Sequence, residues 1–155
     1  MIAYRHFIAF YIIAFSLILD QAIKIAVETH LNIHQPIYIL PFFFLCRTHN
    51  TGVSFSFFSD VSPWIIMTIR FLIISFTIFM WTKYAKNNNV LNIGFILIIS
   101  GALGNLMDQC TYGYVVDYIM IQIRDISFPI FNLADTLISI GAFLIIYNET
   151  MTSYE

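Results

Sequence analysis

Four stretches of this chain are apolar for long enough to cross a bilayer, and its polar residues are gathered between them. A hydrocarbon core of about 30 Å needs roughly 20 apolar residues in a helix, which predicts transmembrane helices over about 7–27, 63–81, 90–107 and 129–147. The first run follows Arg5 in the manner of a leader. It meets no small-x-small cleavage pattern and continues into Leu19-Asp20-Gln21 and Lys24, so it reads as a retained anchor. The second and third runs are joined only by a short polar turn from Thr82 to Asn89, which makes them antiparallel, and Trp64 and Trp81 bracket the second as interface aromatics. Residues 28–62 are too polar at Thr48-His49-Asn50-Thr51-Gly52 to span and too apolar elsewhere to be a free linker. Ile37-Tyr38-Ile39-Leu40 and the alternation Val53-Ser54-Phe55-Ser56-Phe57 predict short strands around a glycine turn, with Phe42-Phe43-Phe44 pressed into the headgroup layer.

Helix parity then sorts the polar residues. Helices one and three end, and helices two and four begin, at the same membrane face, so Asp20, Asp108, Asp117 and Asp135 all belong to that face. The expected architecture is an all-α membrane bundle of four transmembrane helices with a small extramembrane β-platform between helices one and two, forming one domain over 1–155.

Composition agrees and narrows the function. The chain is 59% hydrophobic and 10% charged, whereas about a quarter of the residues of a soluble domain are charged. A net charge of -2 without a basic stripe gives no nucleic-acid signal. Cys46 and Cys110 form no C-x-x-C, and His6, His30, His34 and His49 form no ligand cluster, so neither a metal nor a cofactor is expected. Arg5, Lys83 and Lys86 fall on one face, against Arg47 and Arg124 on the other. The positive-inside rule therefore favours cytoplasmic termini and a periplasmic aspartate face.

Ionisable groups at membrane depth are costly and mark functional sites. Asp117 follows helix three in Val115-Val116-Asp117-Tyr118, and Asp135 ends Phe131-Asn132-Leu133-Ala134-Asp135. A helix starting at Pro129 would put Asp135 six residues in, about 9 Å deep at 1.5 Å per residue. Two converging carboxylates share a proton, one acting as acid while the other activates water. The plainer alternative is that each caps a helix or pairs with Arg124 or Lys24. Asp20 and Lys24, four apart on one helical face, read as a structural pair. Gly101-Ala102-Leu103-Gly104-Asn105 reads as a close-packing stripe with Asn105 bonding across it, and Arg70 as a snorkelling side chain.

Asp20-Gln21-Ala22-Ile23-Lys24, Asn50-Thr51-Gly52-Val53-Ser54-Phe55, Gly104-Asn105-Leu106-Met107-Asp108, Val115-Val116-Asp117-Tyr118 and Phe131-Asn132-Leu133-Ala134-Asp135, in this order, resemble the lipoprotein signal peptidases, also called signal peptidase II. The resemblance implies an aspartic protease of the bacterial inner membrane that cuts the signal peptide of a prolipoprotein just before a diacylglyceryl-modified cysteine. It implies a catalytic dyad at Asp117 and Asp135, with Asn50, Gly52, Asn105, Asp108 and Asn132 holding substrate, lipid or dyad. Its partners would be the lipidated substrate and membrane lipids, and the protein would be a monomer.

Two positions depart from the family pattern: Gln109 stands where Arg usually follows Asp108, with Arg47 or Arg124 as possible substitutes, and Ser54 replaces the usual Ala. No Ser or Cys is placed beside a base, which favours single-step hydrolysis without an acyl-enzyme. The rival readings are a catalytically impaired lipoprotein-binding homologue, which Gln109 encourages, and a small proton-coupled transporter. The transporter reading leaves the opposite half of the bundle without a relay.

Overall fold

The computed structural model describes residues 2–51, 63–86, 88–124 and 126–152. Within them are helices α1 (Ile2–His30), α2 (Pro63–Tyr84), α3 (Asn89–Tyr112) and α4 (Leu133–Thr152), and strands β1 (Ile37–Leu40), β2 (Phe43–Asn50), β3 (Val115–Ile123) and β4 (Ile126–Ser127). α1, α2 and α3 are each long and apolar enough to cross a membrane. Their outward faces carry large apolar side chains such as Phe10, Phe15 and Ile18 on α1 and Phe71 and Phe76 on α2. α4 is a continuous helix whose apolar run is bounded by Asp135 in its first turn and by Asn148 and Glu149 near its end.

Lipid tails are as apolar as leucine, so helices in a bilayer associate through close packing rather than expulsion of water. α3 and α4 do so by omitting side chains. A Cβ at Gly101 would lie 2.2 Å from the carbonyl oxygen of Ala134, and one at Gly141 would lie 2.5 Å from that of Gly94. These contacts run antiparallel and extend to both ends of the pair. At one end the Asn88 side chain caps α3 by accepting from the Leu91 N–H at 3.0 Å, and its amide donates to Asn148 at 2.7 Å. At the same end Arg5 donates to the Ala85 carbonyl and lies over Trp81, whose indole N–H donates to Asn92 at 2.8 Å. The N-terminal end of α1, the α2–α3 turn and the end of α4 thus share one face of the bundle.

The sheet occupies the other end, in the antiparallel order β1-β2-β3-β4. Here the expected β-platform is corrected: it is not confined between helices one and two, because β3 and β4 come from the α3–α4 connection. Val115-Val116-Asp117-Tyr118-Ile119 is rich in β-branched and aromatic residues, which fit a pleated surface. Ile37–Leu40 is a strand as expected, but its partner is Phe43–Asn50. The segment 53–57 lies outside the described residues, as does Gly52.

α4 is also corrected. It begins at Leu133, not at Pro129, because Phe131 is engaged in strand pairing: its N–H donates to the Ile119 carbonyl at 3.0 Å and its carbonyl accepts from the Ile119 N–H at 2.7 Å. A residue holding an extended bridge cannot also enter a helix. Asp135 therefore sits in the first helical turn rather than six residues deep. The other helices run a few residues past the expected bounds.

Candidate active site

The site grows from a charged cluster buried between α1 and α3. Lys24 Nζ donates to Asp20 at 2.9 Å, Asp108 at 2.8 Å and Asn105 at 3.1 Å, using all three of its protons. None of the three ionic residues is more than 1% exposed. Buried charges are tolerated when paired and hydrogen-bonded; here Asp20 and Asp108 share the one ammonium of Lys24, and Asp20 Oδ1 has no partner among the described residues. Gln21 adds a donor to Asp108 Oδ1 at 2.8 Å. Gly104 makes the room, since a Cβ there would meet Asp20 Oδ2 at 2.7 Å. Asp108 Oδ2 also accepts from the Val116 N–H at 3.1 Å, fixing the start of β3 to α3.

That anchor positions Asp117, one residue further on and 2% exposed. In the β2–β3 register it lies opposite Thr48. Asn50, two residues beyond Thr48 on β2, donates to Asp117 Oδ2 at 2.9 Å, while Asn132 donates to Asp117 Oδ1 at 2.7 Å. β2 is tied to α1 in turn, because Arg47 donates to the Glu28 and Leu31 carbonyls at 3.0 Å and pairs with the Glu28 carboxylate at 2.6 Å. Burial pushes the Asp117 carboxyl up to about 6; the hydrogen bond from Asn50 opposes this and the nearby Asp135 charge adds to it.

The Phe131–Ile119 bridge sets Asn132 beside Asp117, and Asn132 is the N-cap of α4. Its Oδ1 accepts from the Asp135 N–H at 2.9 Å, while its own N–H donates to Asp135 Oδ2 at 3.2 Å, a reciprocal capping pair. Asp135 Oδ1 accepts from Asn105 at 2.8 Å. Asn105 Oδ1 accepts from Lys24 and, at 3.1 Å, from Asn132. Lysine has no acceptor, so the amide of Asn105 can face only one way. All four oxygens of the two carboxylates thus receive an N–H donor, and Asn132 touches both. Asp117 and Asp135 form no ion pair among the described residues; Lys24 is directed to Asp20 and Asp108. Capping does occur at Asp135, together with its convergence on Asp117.

The chain brings Asp20, Lys24, Asn50, Asn105, Asp108, Asp117, Asn132 and Asp135 into one network. Three members were missed in the sequence. Gln21 lies inside the Asp20–Lys24 motif, where its spacing was the available signal. Tyr118 accepts from the Leu133 N–H at 3.2 Å and, with its phenol pushed up to about 12 by burial, stays neutral. Arg70, expected to snorkel toward the aspartate face, donates to the Asn105 carbonyl at 3.3 Å.

Gln109 is 2% exposed, and its amide donates to the Gly113 carbonyl at 2.8 Å. Gly113, at φ 79°, returns its N–H to the Gln109 carbonyl at 3.1 Å. Gln109 therefore braces the turn from α3 into β3. Of the two suggested substitutes for an arginine here, Arg47 is engaged with Glu28, and Arg124 lies at the opposite end of β3 from Asp117.

Residues 12–151 match the model of a family described as Signal peptidase (SPase) II. A lipoprotein signal peptidase of Allorhizobium ampelinum is 46% identical over 135 residues, spanning 87% of this chain and 83% of that protein. One from Brucella ovis is 40% identical over 139 residues, spanning 90% and 87%. A solved structure described as a bacterial membrane enzyme superposes with a TM-score of 0.85 at 29% identity, covering 94% of this chain and 88% of the other.

Proposed function

We propose, for a chain that belongs to the signal peptidase II family, that Asp117 and Asp135 are the catalytic dyad with which this multi-pass membrane protease cleaves the signal peptides of lipoproteins. The observation that carries this reading is Asn132, which donates to both carboxylates and holds them in one network. A pair held so closely titrates as a unit. With one proton between them, the ionised member takes a proton from water as it attacks the scissile carbonyl, and the protonated member donates to the developing oxyanion. The fixed N–H donors keep the carboxylates in place without supplying protons. Asn50, Asn105, Asn132 and Asp108 act as supports for the dyad, and the Lys24 cluster anchors them to α1. The Gln109 brace favours a working enzyme over an impaired binding homologue.

The substrate under this reading is a prolipoprotein carrying a diacylglyceryl-modified cysteine, and the enzyme acts as a monomer among the lipids of the bacterial inner membrane. α4 is the fourth span, since it packs along α3 from Ala134 to Asn148. The end carrying Arg5, Lys83 and Lys86 faces the cytoplasm and the sheet end faces the periplasm. The test is incubation of the purified protein in detergent with a diacylglyceryl-modified prolipoprotein, read by a size shift. Cleavage just before the modified cysteine is expected; an intact substrate would overturn the reading.

A further inference from the structure

α2 brings a cation to the membrane side of the site. Arg70 is half-buried, and its one hydrogen bond among the described residues is the 3.3 Å contact to the Asn105 carbonyl. A guanidinium carries five N–H donors in a planar fork, and among the described residues one of them is used. Among the described residues no carboxylate pairs with it within 4.0 Å.

Beside it opens a cavity of about 250 Å³ lined by Arg70, Ile73, Ile74, Ala102, Asn105 and Ile138. The Asn105 side chain is committed, its amide to Asp135 and its oxygen to Lys24 and Asn132. Its backbone carbonyl is already taken by Arg70. Among the described residues the cavity therefore offers hydrogen-bond donors on an aliphatic wall and no free side-chain acceptor. A peptide segment placed there would bury N–H groups without partners, which is costly. An ester brings acceptors only, attached to methylenes that suit isoleucine walls.

Resting on the reading of the substrate as a lipidated prolipoprotein, we propose that Arg70 recognises the acyl ester of the diacylglyceryl group, donating to an ester carbonyl while Ile73, Ile74, Ala102 and Ile138 receive the acyl chain. Arginine suits the task because it is weakly hydrated and always charged. It also supplies, from a different helix, a cation near the dyad in a chain that has Gln109 after Asp108.

The test compares two synthetic prolipoprotein peptides, one with a diacylglyceryl cysteine and one with the dialkyl ether analogue, which keeps the chains and lacks the carbonyls. The wild-type protein should cleave the ester substrate with a KM about tenfold lower than the ether, the size of a charge-assisted hydrogen bond. Arg70→Met should raise the ester KM to near that of the ether, abolishing the discrimination between the two substrates whatever its effect on turnover, and Arg70→Lys should recover part of the difference. Equal KM values for the two substrates with the wild-type protein would overturn the proposal without any variant having to fold. A loss in Arg70→Met that is the same for both substrates would overturn it in favour of a peptide carbonyl or of support to the dyad. Cleavage of neither substrate by the wild-type protein would instead refute the protease reading itself.

Discussion

Asn132 and Asp135 cap one another across the first turn of α4, the Asp135 N–H donating to Asn132 Oδ1 at 2.9 Å and the Asn132 N–H to Asp135 Oδ2 at 3.2 Å. The helix start and the candidate dyad are thus one piece of structure. The fold holds Asp135 in position with the same bonds that begin the helix.

Asn132→Ala removes that cap and the donor to Asp117 together. Loss of an asparagine N-cap costs about 1 kcal/mol, so a fall of a few degrees in the unfolding temperature is expected. Cleavage should fall far more, by at least a hundredfold. Equal, mild effects on both measurements would show that Asn132 serves the helix alone.

The pH dependence follows from Asp117. Its folded value of about 6 lies above the ordinary 3.8, so the pair, titrating as a unit, keeps a shared proton through the acidic range and releases it as pH rises through about 6. A dyad that needs one shared proton should then lose kcat/KM on the alkaline side of that value. The limb in kcat should lie higher, because bound substrate excludes water from the pair. The same sign applies to folding: the ionised, buried Asp117 opposes stability above about pH 6, and that opposition fades as pH falls toward 4. A kcat/KM that still rises beyond pH 8 would assign the controlling titration elsewhere.

Gly101 and Gly141 separate packing from catalysis. Each faces a backbone oxygen of the opposite helix, at 2.2 Å from Ala134 and 2.5 Å from Gly94 for an added Cβ. Overpacking of this kind costs roughly 1–3 kcal/mol, so both alanine substitutions should lower the unfolding temperature comparably. Gly101→Ala displaces the residue next to Asp135 and should also depress kcat at least tenfold, whereas Gly141→Ala should spare it. Equal loss of kcat would mean that the site senses helix separation anywhere along the pair.

Gln109 carries the departure from the family pattern. Its hydrogen bond to Gly113 already supports the turn into β3, so Gln109→Arg should change the cleavage rate by no more than a few-fold. Gln109→Leu removes the bond, worth about 1 kcal/mol, and should lower stability measurably. A gain of tenfold or more with Gln109→Arg would reveal a contact that this chain has lost.

Much of this was legible in the sequence because membrane helices announce themselves by apolar length and because Asp20, Asn105, Asp108, Asp117, Asn132 and Asp135 sit in ordered motifs. The start of α4 was not, since Pro129 is a good first helical residue and only tertiary pairing with Ile119 keeps Phe131 extended. β3 was hidden for a related reason: Val115, Val116, Asp117 and Tyr118 are buried in succession, so the alternation that marks a half-buried strand is absent. Arg70 read as a snorkelling side chain because nothing in α2 reveals which helix it will face. Convergence of Asp117 with Asp135 was anticipated from parity, but the asparagine between them is a property of the folded chain.

The most direct measurement is cleavage of a diacylglyceryl-modified prolipoprotein by Asp117→Asn and Asp135→Asn, each checked for retained fold by circular dichroism and thermal unfolding. Asparagine keeps the shape of aspartate but cannot carry the exchangeable proton, so each variant should lose cleavage by a factor of a thousand or more while remaining folded. Cleavage within tenfold of the wild-type rate by either folded variant would contradict the dyad.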